Sequence, residues 1–156
     1  MAFNLSQRSF QRLVGVHPKL VETVKLAITY TSVDFGVIFG VRDLATQEKL
    51  FKSGKSQTMK SKHLIQDDGY SHAVDLMAYD DGEPSWDMVD YDNIADAMKK
   101  ASNEVGIKVR WGASWHIDSI SEWDGTMEDA MNDYIDLRRK QGRRPFIDGP
   151  HFELRE

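Results

Sequence analysis

Five histidines, at positions 17, 63, 72, 116 and 151, and no cysteine set the chemistry open to this chain of 156 residues. Without thiols there is no cysteine nucleophile, no disulfide framework and no thiolate-bound metal, so any catalytic metal must rest on imidazole and carboxylate. Two segments offer that combination. Ser61-Lys62-His63 is followed by Ser71-His72-Ala73-Val74-Asp75, and the C-terminal stretch Asp148-Gly149-Pro150-His151 sets a carboxylate three residues before a histidine. A hydrolytic zinc needs three protein ligands and one open position, where the pKa of water falls to about 7. His63, Asp75 and His151 meet that count, and Asp148 is placed to take the water's proton and return it to a leaving amine.

His72 competes with His63, being nearer to Asp75. If a strand begins near His72, alternation turns His72 and Asp75 to opposite faces, which favours His63. Arg42, following Gly40-Val41, ends an apolar run and can present a fixed positive charge to an oxyanion or a substrate carboxylate. Ser61 supports its loop by hydrogen bonding and is, with Trp111 and Trp115, a candidate to contact the substrate. Trp111 and Trp115 belong to a core, or line a groove for a peptide. His116 and Asp118 share a strand face, and the acids Asp118, Glu122, Asp124, Glu128 and Asp129 offer oxygen ligands for a second cation such as Ca2+. With no EF-hand spacing, a polar loop and a solvated face are the default for these.

These groups need elements to hold them. Ser6 to Leu13 suits a short helix, and Leu20, Val21, Val24, Ala27 and Ile28 give residues 18–30 a helical face opened by Pro18. Phe35 to Val41 is aromatic and β-branched and predicts a buried strand. Asp43 can cap a helix that Ser53-Gly54 stops. Ala73 to Tyr79 predicts a second strand, closed by Asp80-Asp81-Gly82-Glu83-Pro84. Ile94 to Val105 predicts a helix, Ile107 to Trp111 a strand, Met127 to Leu137 a further helix and Phe152 to Leu154 a last short strand. With no βαβ repeat and no Gly-rich phosphate loop, the expected class is α+β, a small mainly antiparallel sheet packed with several helices in one domain spanning 1–156.

Composition narrows the partners. Twenty basic against 25 acidic side chains give a net charge of -5, which provides no general attraction to nucleic acid. The cluster Arg138, Arg139, Lys140, Arg143 and Arg144 suits the C-terminal turn of a helix, with an anionic wall or lipid surface as the alternative. No run of eighteen apolar residues predicts membrane insertion, and no signal peptide is evident.

The two metal-ligand segments resemble the signature of the M15 zinc peptidases, the family of D-Ala-D-Ala carboxypeptidases and phage L-alanyl-D-glutamate endopeptidases. That pattern is Ser-x-His, a short spacer, Gly-x-Ala-x-Asp, and later a carboxylate three residues ahead of His. Gly40-Val41-Arg42 and the segment Val109 to Trp115 also match, most closely in single-domain phage endolysins. The resemblance implies a hedgehog/DD-peptidase-like fold and one zinc ion on His63, Asp75 and His151. It also implies Asp148 as base, Arg42 as a catalytic cation, and cleavage of the L-Ala-D-Glu bond of the peptidoglycan stem peptide during host lysis. Alternatives are a D-Ala-D-Ala carboxypeptidase or dipeptidase on the same metal centre, or an inactive wall-binding module. It further implies a monomer without a cell-wall-binding domain, held in the host cytoplasm until a holin-type partner opens the way to the periplasm and wall. The sequence departs from the pattern twice. His63 and Asp75 lie twelve rather than seven residues apart, and Ser71 replaces the glycine. Residues 64–71 therefore contain a five-residue insertion, expected in an exposed loop because added loop length costs little entropy.

Overall fold

The structure is a computed structural model and describes residues 3–56 and 58–155. Helices α1 (Gln7–Arg12) and α2 (Pro18–Tyr30) lead into strand β1 (Asp34–Phe39) and helix α3 (Leu44–Lys52). Strands β2 (Ala73–Asp80) and β3 (Glu83–Ser85) form a hairpin before the long helix α4 (Met88–Val105). Strand β4 (Lys108–Trp111), helix α5 (Met127–Lys140) and strand β5 (His151–Arg155) complete the described elements, with one 3-10 turn at Ile120–Glu122. The sheet order is β1-β2-β5-β4, with β3 on β2, and every one of these pairings is antiparallel. The class is thus α+β with a small antiparallel sheet, as expected.

Alternation along the strands divides the sheet into a packed face and a chemical face. Val74, Leu76 and Ala78 of β2, Val109 and Trp111 of β4 and Phe152 of β5 are all fully buried in one core. Leu20, Val24 and Ala27 of α2 and Ile94, Met98 and Ala101 of α4 close that core from the helical side, each buried apolar side chain contributing roughly 1.5–3 kcal/mol. With a period of two, the residues between them must face the other way: Asp75 on β2, Arg110 on β4, and His151 and Glu153 on β5. Register then brings them together, for Asp75 pairs with His151 and Arg110 with Glu153.

Several boundaries differ from expectation for local reasons. Helix α4 begins at Met88, six residues before Ile94, because the Asp87 carboxylate accepts the Val89 N–H at 3.2 Å and Tyr91 extends the buried stripe by one turn. Pro84 lies within β3 rather than ending strand structure, which an edge strand tolerates because its missing N–H faces away from the ladder. Strand β1 stops at Phe39 after a register shift between Val37 and Phe39, and this irregularity redirects the chain so that Gly40 to Arg42 run toward the chemical face.

Candidate metal centre and cleft

Three elements deliver the three donors. Asp75 is set by β2 and His151 by the first residue of β5, while His63 comes from a loop. That loop is tied by its own backbone: the Ser61 hydroxyl accepts the His63 N–H at 3.1 Å, the His63 carbonyl accepts the Arg42 N–H at 2.9 Å, and the Lys62 carbonyl accepts the His72 N–H at 2.8 Å. Ser61 thus braces the loop through its hydroxyl. The intervening residues fold back on themselves. Ile65 bridges Ser71, the Gln66 carbonyl accepts the Gly69 N–H at 2.9 Å, and residues 67–70 are exposed, so the added length leaves the path from His63 to Asp75 undisturbed. Ser71, in place of the family's glycine, is buried without a positive φ and contacts Lys62 and Ala73 carbonyls through its hydroxyl.

At the centre, Oδ1 of Asp75 lies 3.2 Å from Nε2 of His63 and 3.1 Å from Nδ1 of His151, and the three donor atoms fall within 4.8 Å of one another. Each imidazole directs its other nitrogen to a fixed acceptor, His63 Nδ1 to the Gly40 carbonyl at 2.8 Å and His151 Nε2 to the Glu153 carboxylate at 2.9 Å. Those outer hydrogen bonds set the tautomers that leave both inner nitrogens bare toward Asp75, the arrangement seen when an outer-shell acceptor orients a metal-bound histidine. Three converging lone-pair donors in a buried setting need a cation or shared protons between them. The donor set therefore fits a divalent metal.

The titration behaviour of the bare site expresses the same demand. Burial opposes the charge on Asp75, but hydrogen bonds from His151 and His63 outweigh it and hold the carboxyl far below the usual range. Burial likewise opposes charge on His151, yet Asp75 and Glu153 push its imidazole up to about 10.

Asp148 is held beside this group by its backbone: its N–H donates to the Gly112 carbonyl at 2.8 Å, and its own carbonyl accepts the His151 N–H at 3.1 Å. Gly112 permits the contact, since a Cβ there would lie 2.2 Å from the Asp148 carbonyl oxygen. The Asp148 carboxylate makes no hydrogen bond with any described residue and lines the cleft. Burial and the Asp75 charge raise its pKa, against the pull of His151, His63 and Arg42. Arg42 reaches the same place, 4.0 Å from Asp75 Oδ2, braced at 2.8 Å by the Gln47 side chain. Asp43 does not pair with it. Its carboxylate caps α3 by accepting the Thr46 N–H at 2.7 Å.

The cleft above the donors encloses about 850 Å³, within the range of small-molecule and peptide sites. Trp115 forms one wall, stacked on Phe146 and 5.5 Å from the His151 ring. Trp111 does not line it. It is fully buried on the opposite face of the sheet, with its indole N–H on the Gly149 carbonyl at 2.7 Å, so it supports the turn after Asp148 rather than a substrate. His72 is likewise outside the group, turned to Asp68 at 2.7 Å as the alternation required. His116 pairs with Asp133 at 2.8 Å, and Asp118 with Arg155 at 3.2 Å, so the two do not converge on a second cation. Glu153, Gly112 and the Gly40 carbonyl were not singled out as parts of the site from sequence. Glu153 was nonetheless readable, since it stands two residues after His151 on one strand.

A model of the phage L-alanyl-D-glutamate peptidase family matches residues 1–155. The chain belongs to that family. Similarity to individual peptidases runs over nearly the full length. The L-alanyl-D-glutamate peptidase of Escherichia phage T5 is 29% identical over 158 residues, covering 99% of each chain. The crystal structure of the Serratia marcescens L-Ala D-Glu endopeptidase ChiX superposes with a TM-score of 0.70 at 34% identity, covering 99% of this chain and 91% of that one. The peptidase fold thus carries His63 and His151, both buried, and the half-buried Asp75 on the face of its sheet that opens to the cleft.

Proposed function

We propose that this peptidase is a zinc-dependent phage endolysin that hydrolyses the L-Ala-D-Glu bond of the peptidoglycan stem peptide. The observation that carries the reading is the convergence of His63, Asp75 and His151 beside a carboxylate, Asp148, that makes no hydrogen bond with any described residue. A purely structural metal site is closed by a fourth protein ligand and has no use for an adjacent base. Membership of the peptidase family, and the L-Ala-D-Glu activity its relatives are named for, supply the substrate.

In this reading His63, Asp75 and His151 are the ligands, Glu153 and the Gly40 carbonyl orient the imidazoles, and Asp148 is the general base. A zinc ion bound there would supply an acidified water and polarise the scissile carbonyl. Asp148 takes the proton from the attacking water and passes it to the departing amine of D-Glu. Its raised pKa suits both halves of that exchange. Arg42 stabilises the developing oxyanion or meets the free carboxylate of D-Glu. Ser61 fixes the His63 loop, and Trp115 with Phe146 provides a flat apolar wall for the peptide. We read the protein as one catalytic domain acting as a monomer. Access to the wall is assigned to a separate membrane-permeabilising protein, in keeping with the lack, among the described residues, of a helix able to cross a membrane.

Digestion of purified sacculi followed by mass spectrometry tests this. The expected products are peptides with a new N-terminal D-Glu and intact glycan strands carrying L-Ala. Release of free D-alanine or its dipeptide would assign a carboxypeptidase instead. Asp148→Asn should lower the rate by about 10²–10⁴-fold with zinc still bound. Activity that persists in Asp148→Asn, or after zinc is stripped, would overturn the mechanism.

A further inference from the structure

The chain as a whole is acidic, with 20 basic and 25 acidic side chains, but its cleft is not. Besides Arg42, the cleft is lined by Lys55, Lys60 and Lys62 and by Arg110, Arg138 and Arg155. The acids in the same cleft are committed elsewhere: Asp43 caps α3, Asp75 lies between two imidazoles, Glu153 holds His151, and Asp148 belongs to the centre. The three guanidiniums are committed too. Arg110 donates to the Trp115 carbonyl, Arg138 to the Arg144 carbonyl and Arg155 to Asp118.

Lys55, Lys60 and Lys62 differ from all of these. Their ammonium groups make no hydrogen bond or ion pair with any described residue, although all three line the cleft and stand within eight positions of one another in the chain. Like charges gathered in a cleft repel one another and focus a positive potential inward, which favours an anionic ligand and draws it in. No contact with a described residue need be broken to receive one.

The proposed substrate limits what that anion can be. Around the L-Ala-D-Glu bond the only free carboxylate is that of D-Glu, next to the leaving nitrogen, and Arg42 stands at the metal donors to meet it. A separate row of ammonium groups calls for a second negative group further along the stem. We propose that Lys55, Lys60 and Lys62 form a carboxylate-reading subsite that selects stem peptides whose third residue carries a side-chain carboxylate, as a diaminopimelate-type residue does and a lysine-type residue does not. The inference rests on the functional reading above and deepens it.

The test measures binding rather than cleavage, so it stands apart from the question of which bond is cut. Two synthetic tripeptides, L-Ala-γ-D-Glu-X, with X either diaminopimelate or lysine, are titrated calorimetrically at low ionic strength into zinc-loaded Asp148→Asn protein. Exposed charge pairs contribute a few tenths of a kcal/mol each, so three together predict about tenfold tighter binding of the diaminopimelate peptide. Replacing all three lysines by glutamine should cut that preference to less than about twofold, and replacing them by arginine should restore it. Circular dichroism checks the fold. Should the triple variant unfold, each single Lys→Gln change should remove roughly a twofold share. Equal affinity for the two peptides, an equal loss for both in the glutamine variant, or no binding of either overturns the proposal.

Discussion

Replacing Glu153 probes how the centre is tuned without touching a ligand. Its carboxylate accepts the N–H of His151 at 2.9 Å, and both side chains are only 9% exposed. A hydrogen bond to a charged acceptor contributes about 1.5–3 kcal/mol, roughly twice the neutral case. In Glu153→Gln the carbonyl still accepts and still fixes the tautomer, so only the charged component is lost. That is about 1–1.5 kcal/mol, or about tenfold in zinc affinity. In Glu153→Ala the N–H is left without an acceptor, the tautomer is free to reverse, and the loss should reach about a hundredfold. Competition against a chromogenic chelator gives the affinities directly. Thermal unfolding in excess zinc gives a second measure, since a tenfold weaker site removes about 1.4 kcal/mol of ligand-linked stability. If both variants bind zinc within twofold of the parent and keep its near-ultraviolet circular dichroism, Glu153 does not orient His151 and the account of the outer hydrogen bonds is wrong.

Three further outcomes are expected. Gly112→Ala should depress both melting temperature and turnover, because its methyl group would lie 2.2 Å from the Asp148 carbonyl and must displace the turn that carries Asp148 and His151; normal activity in this variant would exclude that clamp. Asp92 is buried on α4, with one carboxylate oxygen lacking any partner, and burial together with Glu128, Asp96 and Asp87 raises its pKa to about 6. The folded state therefore binds a proton that the unfolded state releases between about pH 4 and 6, so Asp92 weakens the fold as pH rises through that window. Asp92→Asn should stabilise the protein by on the order of 1–3 kcal/mol above pH 6, and the gain should vanish below about pH 4 in urea titrations; a gain independent of pH would refute the assignment. His63→Ala should abolish stoichiometric zinc binding, whereas His72→Gln should leave zinc affinity within about twofold and affect only the 64–71 loop that Asp68 anchors. Comparable loss in both, measured by metal analysis after gel filtration, would reverse the choice of ligand.

The elements were legible because their signals are local. Pro18 and the Leu20, Val24 and Ala27 stripe fix α2, and the alternation from Ala73 to Tyr79 fixes β2, since side-chain periodicity needs only the chain's own geometry. Local signals failed at the start of α4, where Met88 and Tyr91 are interspersed with Asp90, Asp92 and Asn93 and Val89 is exposed, and at Pro84, where tolerance depends on lying at a sheet edge.

The donor types were equally a property of the sequence. With no cysteine, two histidines flanking strand-borne positions and one strand aspartate were the natural candidates for ligands, and alternation alone turned His72 away from Asp75. Convergence was not. Only the antiparallel register that sets Asp75 against His151 joins residues 76 positions apart, and only a loop folded back on Ile65 and Ser71 lets His63 meet them despite the longer spacing. The same register puts Glu153 behind His151 and Trp111 in the core, while the turn after β4 carries Trp115 into the cleft. Residue type limits which chemistry is available. Which residues share a face, and which free charges line it, depends on pairings between distant segments that no local pattern encodes.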